Sequence, residues 1–234
     1  IRSAVGSAEA EALAARIINA FIQPFSVGGM EFQLLVSIGI AASDSQAADA
    51  EELLAAADFA LQKVKSKGGR GFSVFDDGMR QDSDASRTLR DELRKGLKND
   101  ELKLVYQPQF ELLGKNLVGF EALLRWEHPD RGILTPATFL PALDHSLLTL
   151  DIGWWTLDEA CRMAARLNRN RSVKMAVNLF PMQFRAIDIC DRVRACLERH
   201  KLPPERLELE LTEEIALDDV AAAIETLGAL RKIG

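Results

Sequence analysis

The segment Leu207-Glu208-Leu209-Glu210-Leu211-Thr212-Glu213 alternates apolar and polar side chains. Extended backbone turns successive side chains to opposite sides, so Leu207, Leu209 and Leu211 share one face and Glu208, Glu210 and Thr212 the other. Carboxylates turned into a protein are costly unless paired or metal-bound. The alternation alone fits two arrangements: inward glutamates around a cation, or a half-exposed strand with a solvated acidic face. Two more segments bear on that choice. Val118 to Trp126 places Glu121, Leu123 and Arg125 on one face and Phe120, Ala122, Leu124 and Trp126 on the other. Val173 to Asn178 ends in Asn178, just before a loop containing Pro181. Three successive strands thus each supply an oxygen-bearing side chain, Glu121, Asn178 and Glu210, and oxygen-only donors suit Mg²⁺ or Mn²⁺. Arg125 has a planar fork suited to a phosphate. It also stands four residues from Glu121, where an ion pair would explain it equally well.

The surrounding periodicity says what must position these residues. Residues 7 to 23 read as a helix, with Leu13, Ile17 and Phe21 at four-residue steps and Pro24 as its stop. Phe32 to Ala42 reads as a strand, 49 to 66 as a helix and Phe72 to Phe75 as a short strand, giving an α-β-α-β run. Residues 76 to 86 are polar and rich in Gly, Asp and Ser, the composition of a linker. Leu89, Leu93 and Leu97 then mark a helix. Leu102 to Phe110 and Leu117 to Trp126 read as a hairpin turned by Gly114-Lys115-Asn116. One long helical stretch is expected from 136 to 168, a strand from Val173 to Asn178 and a helix from 186 to 200. A strand from Arg206 to Leu211 and a helix from 218 to 232 follow. Repeated strand-then-helix units predict a parallel sheet or a β/α barrel, whose active sites lie at the carboxyl ends of the strands.

Composition narrows the classes. The 234 residues are 47% hydrophobic and 27% charged, with a net charge of -6. An acidic balance argues against a broad DNA- or RNA-binding surface. It leaves room for a small phosphate ligand, since an arginine or a metal supplies local positive charge. Cys161, Cys190 and Cys196 form no C-x-x-C pair and read as reduced packing residues of a cytoplasmic protein. The longest apolar stretch, Leu34 to Ala42, is too short to span a membrane. Ile1 opens in mid-pattern, and Lys232-Ile233-Gly234 reads as a helix ending before another strand, so both ends read as interior points of a longer protein.

Four motifs carry a specific resemblance: Tyr106-Gln107-Pro108; Glu121-Ala122-Leu123-Leu124-Arg125-Trp126 with His128-Pro129; Val177-Asn178-Leu179 with Gln183-Phe184; and Glu210-Leu211-Thr212-Glu213. In order and spacing they resemble the EAL domain. That resemblance implies a (βα)₈-type, TIM-like barrel that uses divalent metals to hydrolyse cyclic di-GMP to linear pGpG. It implies metal ligation by Glu121, Asn178 and Glu210, a catalytic role for Glu121, and substrate contacts from Gln107 and Arg125. Upstream, Val36-Ser37-Ile38-Gly39-Ile40-Ala41 and Ala57-Asp58-Phe59-Ala60-Leu61, with Lys63, Lys65, Gly69 and Arg70, resemble the second half of an α/β GGDEF domain. Lys63 to Arg70 also reads as a solvated basic helix end, suited to the helix dipole. The domain reading is therefore 1–78 for the C-terminal part of a GGDEF domain, 79–88 for a linker and 89–234 for the N-terminal part of an EAL domain.

The chain departs from the resemblance at Gln62, where Tyr is usual, and at Phe180, where Ser is usual. It departs again at Glu214 and across Leu143-Asp144-His145-Ser146, where His145 reads as a surface loop residue. The resemblance also implies an Asp-Asp-Phe-Gly-Thr-Gly segment and a lysine beyond Gly234, leaving the barrel incomplete at its C-terminus. A piece without them is expected not to turn over cyclic di-GMP unaided. Two functions from different classes follow for the parent protein: a cyclic di-GMP phosphodiesterase, or a catalytically degenerate cyclic di-GMP receptor. An upstream sensory domain, a parent tethered to a membrane and a homodimer through the EAL domain are expectations of the same kind.

Overall fold

In the computed structural model, residues 7–42, 50–66, 68–114, 116–143, 146–168, 172–211 and 220–234 are described. The sequence expectations for Lys115, Asp144, His145, Thr212, Glu213 and Glu214 lie outside the described residues. The chain folds as two compact units, Ile1–Arg87 and Thr88–Gly234. None of the described helices is long and apolar enough to cross a membrane.

In the first unit, helix α1 (Ser7–Ala20) precedes an antiparallel hairpin of β1 (Phe25–Val27) and β2 (Met30–Phe32). Gly28 and Gly29 turn it with φ of 61° and 83°, a region that favours glycine. The strand expected from Phe32 to Ala42 is therefore two pieces. Phe32 ends β2, and β3 is only Ser37–Ile40. Strand β3 pairs in parallel with β4 (Gly71–Val74), Ser37 opposite Gly71, and α2 (Ala50–Ser66) connects them. Gly39 is what lets α2 lie on the sheet: a Cβ there would fall 1.9 Å from the Ala57 carbonyl oxygen. At the basic end of α2, Lys63 pairs with Asp82 at 3.7 Å between exposed side chains, a contact worth little.

Helix α3 (Asp77–Lys98) takes in the residues expected to link the domains. Asp76 caps it, its Oδ1 accepting the Met79 N–H at 2.7 Å. The 89/93/97 leucine stripe packs as expected, with Leu93 fully buried and Leu89 and Leu97 partly so.

The second unit is built on one sheet in the order β5-β6-β8-β9, with β7 on the end of β6. Strands β5 (Leu102–Phe110) and β6 (Leu117–His128) form the predicted antiparallel hairpin, and β7 (Gly132–Leu134) folds back on β6. Strand β8 (Lys174–Asn178) runs parallel to β6, and β9 (Leu207–Glu210) parallel to β8. The helical stretch expected from 136 to 168 is broken. Helix α4 (Pro136–Phe139) passes into a 3₁₀ turn (Leu140–Leu143), and α5 starts afresh as Leu148–Leu167. Pro141 has no N–H to continue a helix, and Ser146 Oγ accepts the Leu148 N–H at 3.3 Å where α5 begins. Helices α6 (Pro181–Phe184), α7 (Ile189–His200) and α8 (Val220–Arg231) complete the layer.

Two apolar clusters hold this unit. Met175 and Val177 meet Leu157, Cys161, Val193 and Leu197 beneath α5 and α7. Leu93, Leu102, Leu124, Trp126 and Phe139 form the other. Trp126 is wholly buried and donates its indole N–H to Glu101 at 3.0 Å, which holds the Glu101 carboxyl below its ordinary range. His128, also buried, accepts the Asp130 N–H at Nδ1, 3.1 Å away, so a neutral ring carries its hydrogen on Nε2, beside Glu92 at 3.3 Å. Asn168 joins α5 to β8: its amide donates to the Ala164 and Val173 carbonyls and its oxygen accepts the Val173 N–H.

Candidate active site

Residues opposite one another across a ladder point to the same side of the sheet. The register sets Gln107 opposite Glu121, Glu121 level with Ala176, and Asn178 level with Glu210. Gln107, Glu121, Asn178 and Glu210 therefore stand on one face. Leu207, Leu209 and Leu211 pack on the other, against the cluster under the helices. The β9 glutamates do turn away from the helix layer, as the alternation predicts.

Asn178 and Glu210 are the last residues of β8 and β9, and the Leu179 N–H donates to the Glu210 carbonyl at 2.9 Å, fastening the two strand ends. Asn178 Nδ2 donates to Glu121 Oε1 at 2.8 Å. That bond turns the amide oxygen of Asn178 away from Glu121. Glu210 is half-buried. Its carboxyl is raised above the ordinary glutamate range, first by burial and then by the negative charges of Glu121 and Glu208. Glu208 has a cation of its own, Lys174 at 3.5 Å, with both side chains more than half exposed. No such partner reaches Glu121 or Glu210 among the described residues. Two carboxylates and an amide oxygen without a counter-charge are a chemically sound donor set for a hard divalent cation.

Arg125 resolves one alternative left open by the sequence. No ion pair joins it to Glu121 among the described residues. Its Nη1 donates instead to the Leu124 carbonyl at 2.7 Å, which leaves the rest of the guanidinium fork for another acceptor. Gln107 is exposed opposite Glu121. Tyr106, next to it, faces the helix layer, where burial pushes its hydroxyl up to about 12.

The loop after Asn178 is held by two residues whose structural roles the sequence does not announce. Gln183 is fully buried, and its Oε1 accepts the Phe180 N–H at 3.1 Å. It lies against Gly153 of α5 so closely that a Cβ there would come within 2.3 Å of it. Phe180 packs against the Trp126–Phe139 cluster. The glutamine beneath the loop could have been sought in Gln183-Phe184, but only the contact with Gly153 shows what it does.

Residues 90–234 match the EAL domain family, and residues 2–71 match the family of the diguanylate cyclase, GGDEF domain. The chain is similar to the bifunctional diguanylate cyclase/cyclic di-GMP phosphodiesterase MucR of Pseudomonas aeruginosa, with 37% identity over 97% of this chain and 33% of that protein. It is 31% identical to the signaling protein YkoW of Bacillus subtilis, over 98% of this chain and 29% of that one. The chain thus spans about a third of the length of these curated relatives. Among solved structures, a MucR phosphodiesterase in complex with c-di-GMP superposes with a TM-score of 0.60 at 42% identity, over 63% of this chain and 60% of that one. An EAL enzyme with cAMP and cyclic di-GMP bound gives a TM-score of 0.63 at 28% identity, over 81% of this chain and 50% of that one.

Proposed function

The chain belongs to the EAL domain family, with a GGDEF segment before it and the TIM-like α/β fold of that family in its second unit, and on that premise we propose that the parent protein is a metal-dependent phosphodiesterase hydrolysing cyclic di-GMP to pGpG. The supporting observation is the Glu121–Asn178 bond at the carboxyl end of β8, with Glu210 level with Asn178. Glu121, Asn178 and Glu210 would hold a divalent cation such as Mg²⁺ or Mn²⁺. Such an ion supplies Lewis-acid polarisation of a phosphoryl oxygen and lowers the pKa of water.

The remaining work falls to the chain's own side chains. Arg125 has donors left over from its bond to Leu124 and would clamp a phosphate oxygen of the substrate. Gln107, across the ladder from Glu121, would offer its amide to a guanine edge. Glu121 accepts from Asn178 and so fixes the amide, and it would serve as a metal ligand as well. Water would attack phosphorus in line as the ribose oxygen leaves, giving the linear dinucleotide. Residues 1–78 as the C-terminal part of a GGDEF domain, 79–88 as linker and 89–234 as EAL domain belong to the same proposal. So do a homodimer and an upstream sensory domain.

The test is incubation of the full-length protein with cyclic di-GMP and Mg²⁺ or Mn²⁺, with pGpG followed by chromatography. Metal-dependent pGpG formation that vanishes in Glu121→Gln is expected. Tight cyclic di-GMP binding with no pGpG at any metal concentration overturns the enzyme reading and leaves a receptor.

A further inference from the structure

Away from the strand ends, on the helix side of the sheet, α5 and α7 bring together a second set of donors of different chemistry. Asp158 lies on α5, and Cys196 and His200 lie four residues apart on α7, hence on one face of that helix. His200 Nε2 is 3.1 Å from Asp158 Oδ1, and Cys196 Sγ is 3.9 Å from the same oxygen. The three ligand atoms all lie within 4.8 Å of one another. With metal bonds of about 2.0–2.3 Å, donor-to-donor edges in a tetrahedral site run to about 3.3–3.8 Å, so small side-chain shifts suffice.

We infer that Asp158, Cys196 and His200 form a binding site for one divalent cation of the zinc class, joining α5 to α7. The donors select the metal: a thiolate, an imidazole and a carboxylate favour zinc over the hard ions suited to Glu121, Asn178 and Glu210. His200 Nε2 supports the assignment, being buried without a hydrogen-bond partner. Nε2 and Asp158 Oδ1 face each other at 3.1 Å, and a cation between them would take both as ligands. Asp158 Oδ1 has another visitor, Arg199 Nη1 at 2.5 Å. The Arg199 side chain is 65% exposed, free to swing into solvent when a cation takes its place. Cys161, fully buried on α5, belongs to the same apolar cluster as Cys196. The fourth position at the metal falls to water or an incoming ligand.

The test uses the full-length protein, stripped with chelator and titrated with Co²⁺ alone and then with Zn²⁺. One equivalent of Co²⁺ should produce a thiolate-to-cobalt charge-transfer band that Zn²⁺ abolishes. The oxygen-only site cannot give that band, so the two sites are read apart, and Glu121→Gln should retain it. Cys196→Ser and His200→Gln should each remove the band, Asp158→Asn should weaken binding by about tenfold or more, and Arg199→Ala should tighten it severalfold. Circular dichroism identifies any variant that fails to fold. Arg199→Ala, altered only at a surface side chain, gives a reading that needs no core substitution. Absence of the band in folded wild-type protein, its survival in both Cys196→Ser and His200→Gln, or weaker binding in Arg199→Ala overturns the site.

Discussion

The two faces of the β5-β6-β8-β9 sheet are built to opposite rules. On the helix side, Trp126, Met175 and Val177 are buried to within 1% of complete. On the other, Gln107 and Asn178 are exposed and Glu121 and Glu210 half-buried, with like charges left close together. One face holds the fold, and the other is the face proposed to take a ligand. The same strands serve both because alternate residues answer to different demands.

Four substitutions break or sharpen that contrast. The largest effect on stability belongs to the helix face: Trp126→Ala should cost about 3–5 kcal/mol, read by urea unfolding. It removes a buried ring and its bond to Glu101. On the ligand face, Glu121→Gln should lower phosphodiesterase activity of the full-length protein on the order of a hundredfold or more, with little change in unfolding midpoint. A drop in stability matching that of Trp126→Ala would erase the distinction between the faces.

Gly153→Ala sits between these extremes. Its new methyl would collide with Gln183, and about 1–3 kcal/mol should be lost, measured by thermal melting. Because Gln183 supports the loop after Asn178, activity should fall as well.

The smallest effect sharpens the comparison most. Burial, with Glu121 and Glu208, raises the Glu210 carboxyl, so the folded chain keeps that proton to higher pH than the unfolded chain. Below the ordinary glutamate range both forms are neutral and nothing is lost. As pH rises through that range toward the raised value, stability falls, and it stays lower above it. In metal-free buffer, Glu210→Gln should therefore raise the melting temperature slightly at neutral pH and leave it unchanged in acid. Added Mg²⁺ should narrow the gap by stabilising the unsubstituted protein alone.

The strand architecture of the second unit was legible because period-two alternation survives in the separate stretches from Leu102 to Phe110, Leu117 to Trp126 and Leu207 to Leu211. It set Glu121 with Arg125 and Glu210 with Glu208, and the ladder register then brings both, with Asn178, to one side. Legibility failed where local pattern carries little information. The β1–β2 hairpin has no buried residue in either strand, so hydrophobicity did not announce it. The break between α4 and α5 rests on Pro141 and the Ser146 hydroxyl, inside a stretch whose apolar spacing looks continuous. The bond from Arg125 to its neighbour's carbonyl depends on a side-chain torsion that spacing cannot encode. Asp158 and Cys196 meet only through helix packing. The four-residue step from Cys196 to His200 was the local trace of that cluster, and by sequence alone the cysteine reads as packing.

Asn168 has a reach beyond its own loop. By gripping Val173 through both backbone groups, it fixes the starting phase of β8. A slip of one residue would rotate Asn178 under the helices and bring Val177 out among the carboxylates. A side chain far from any ligand thus acts as the alignment mark for the strand, deciding which way its last amide looks.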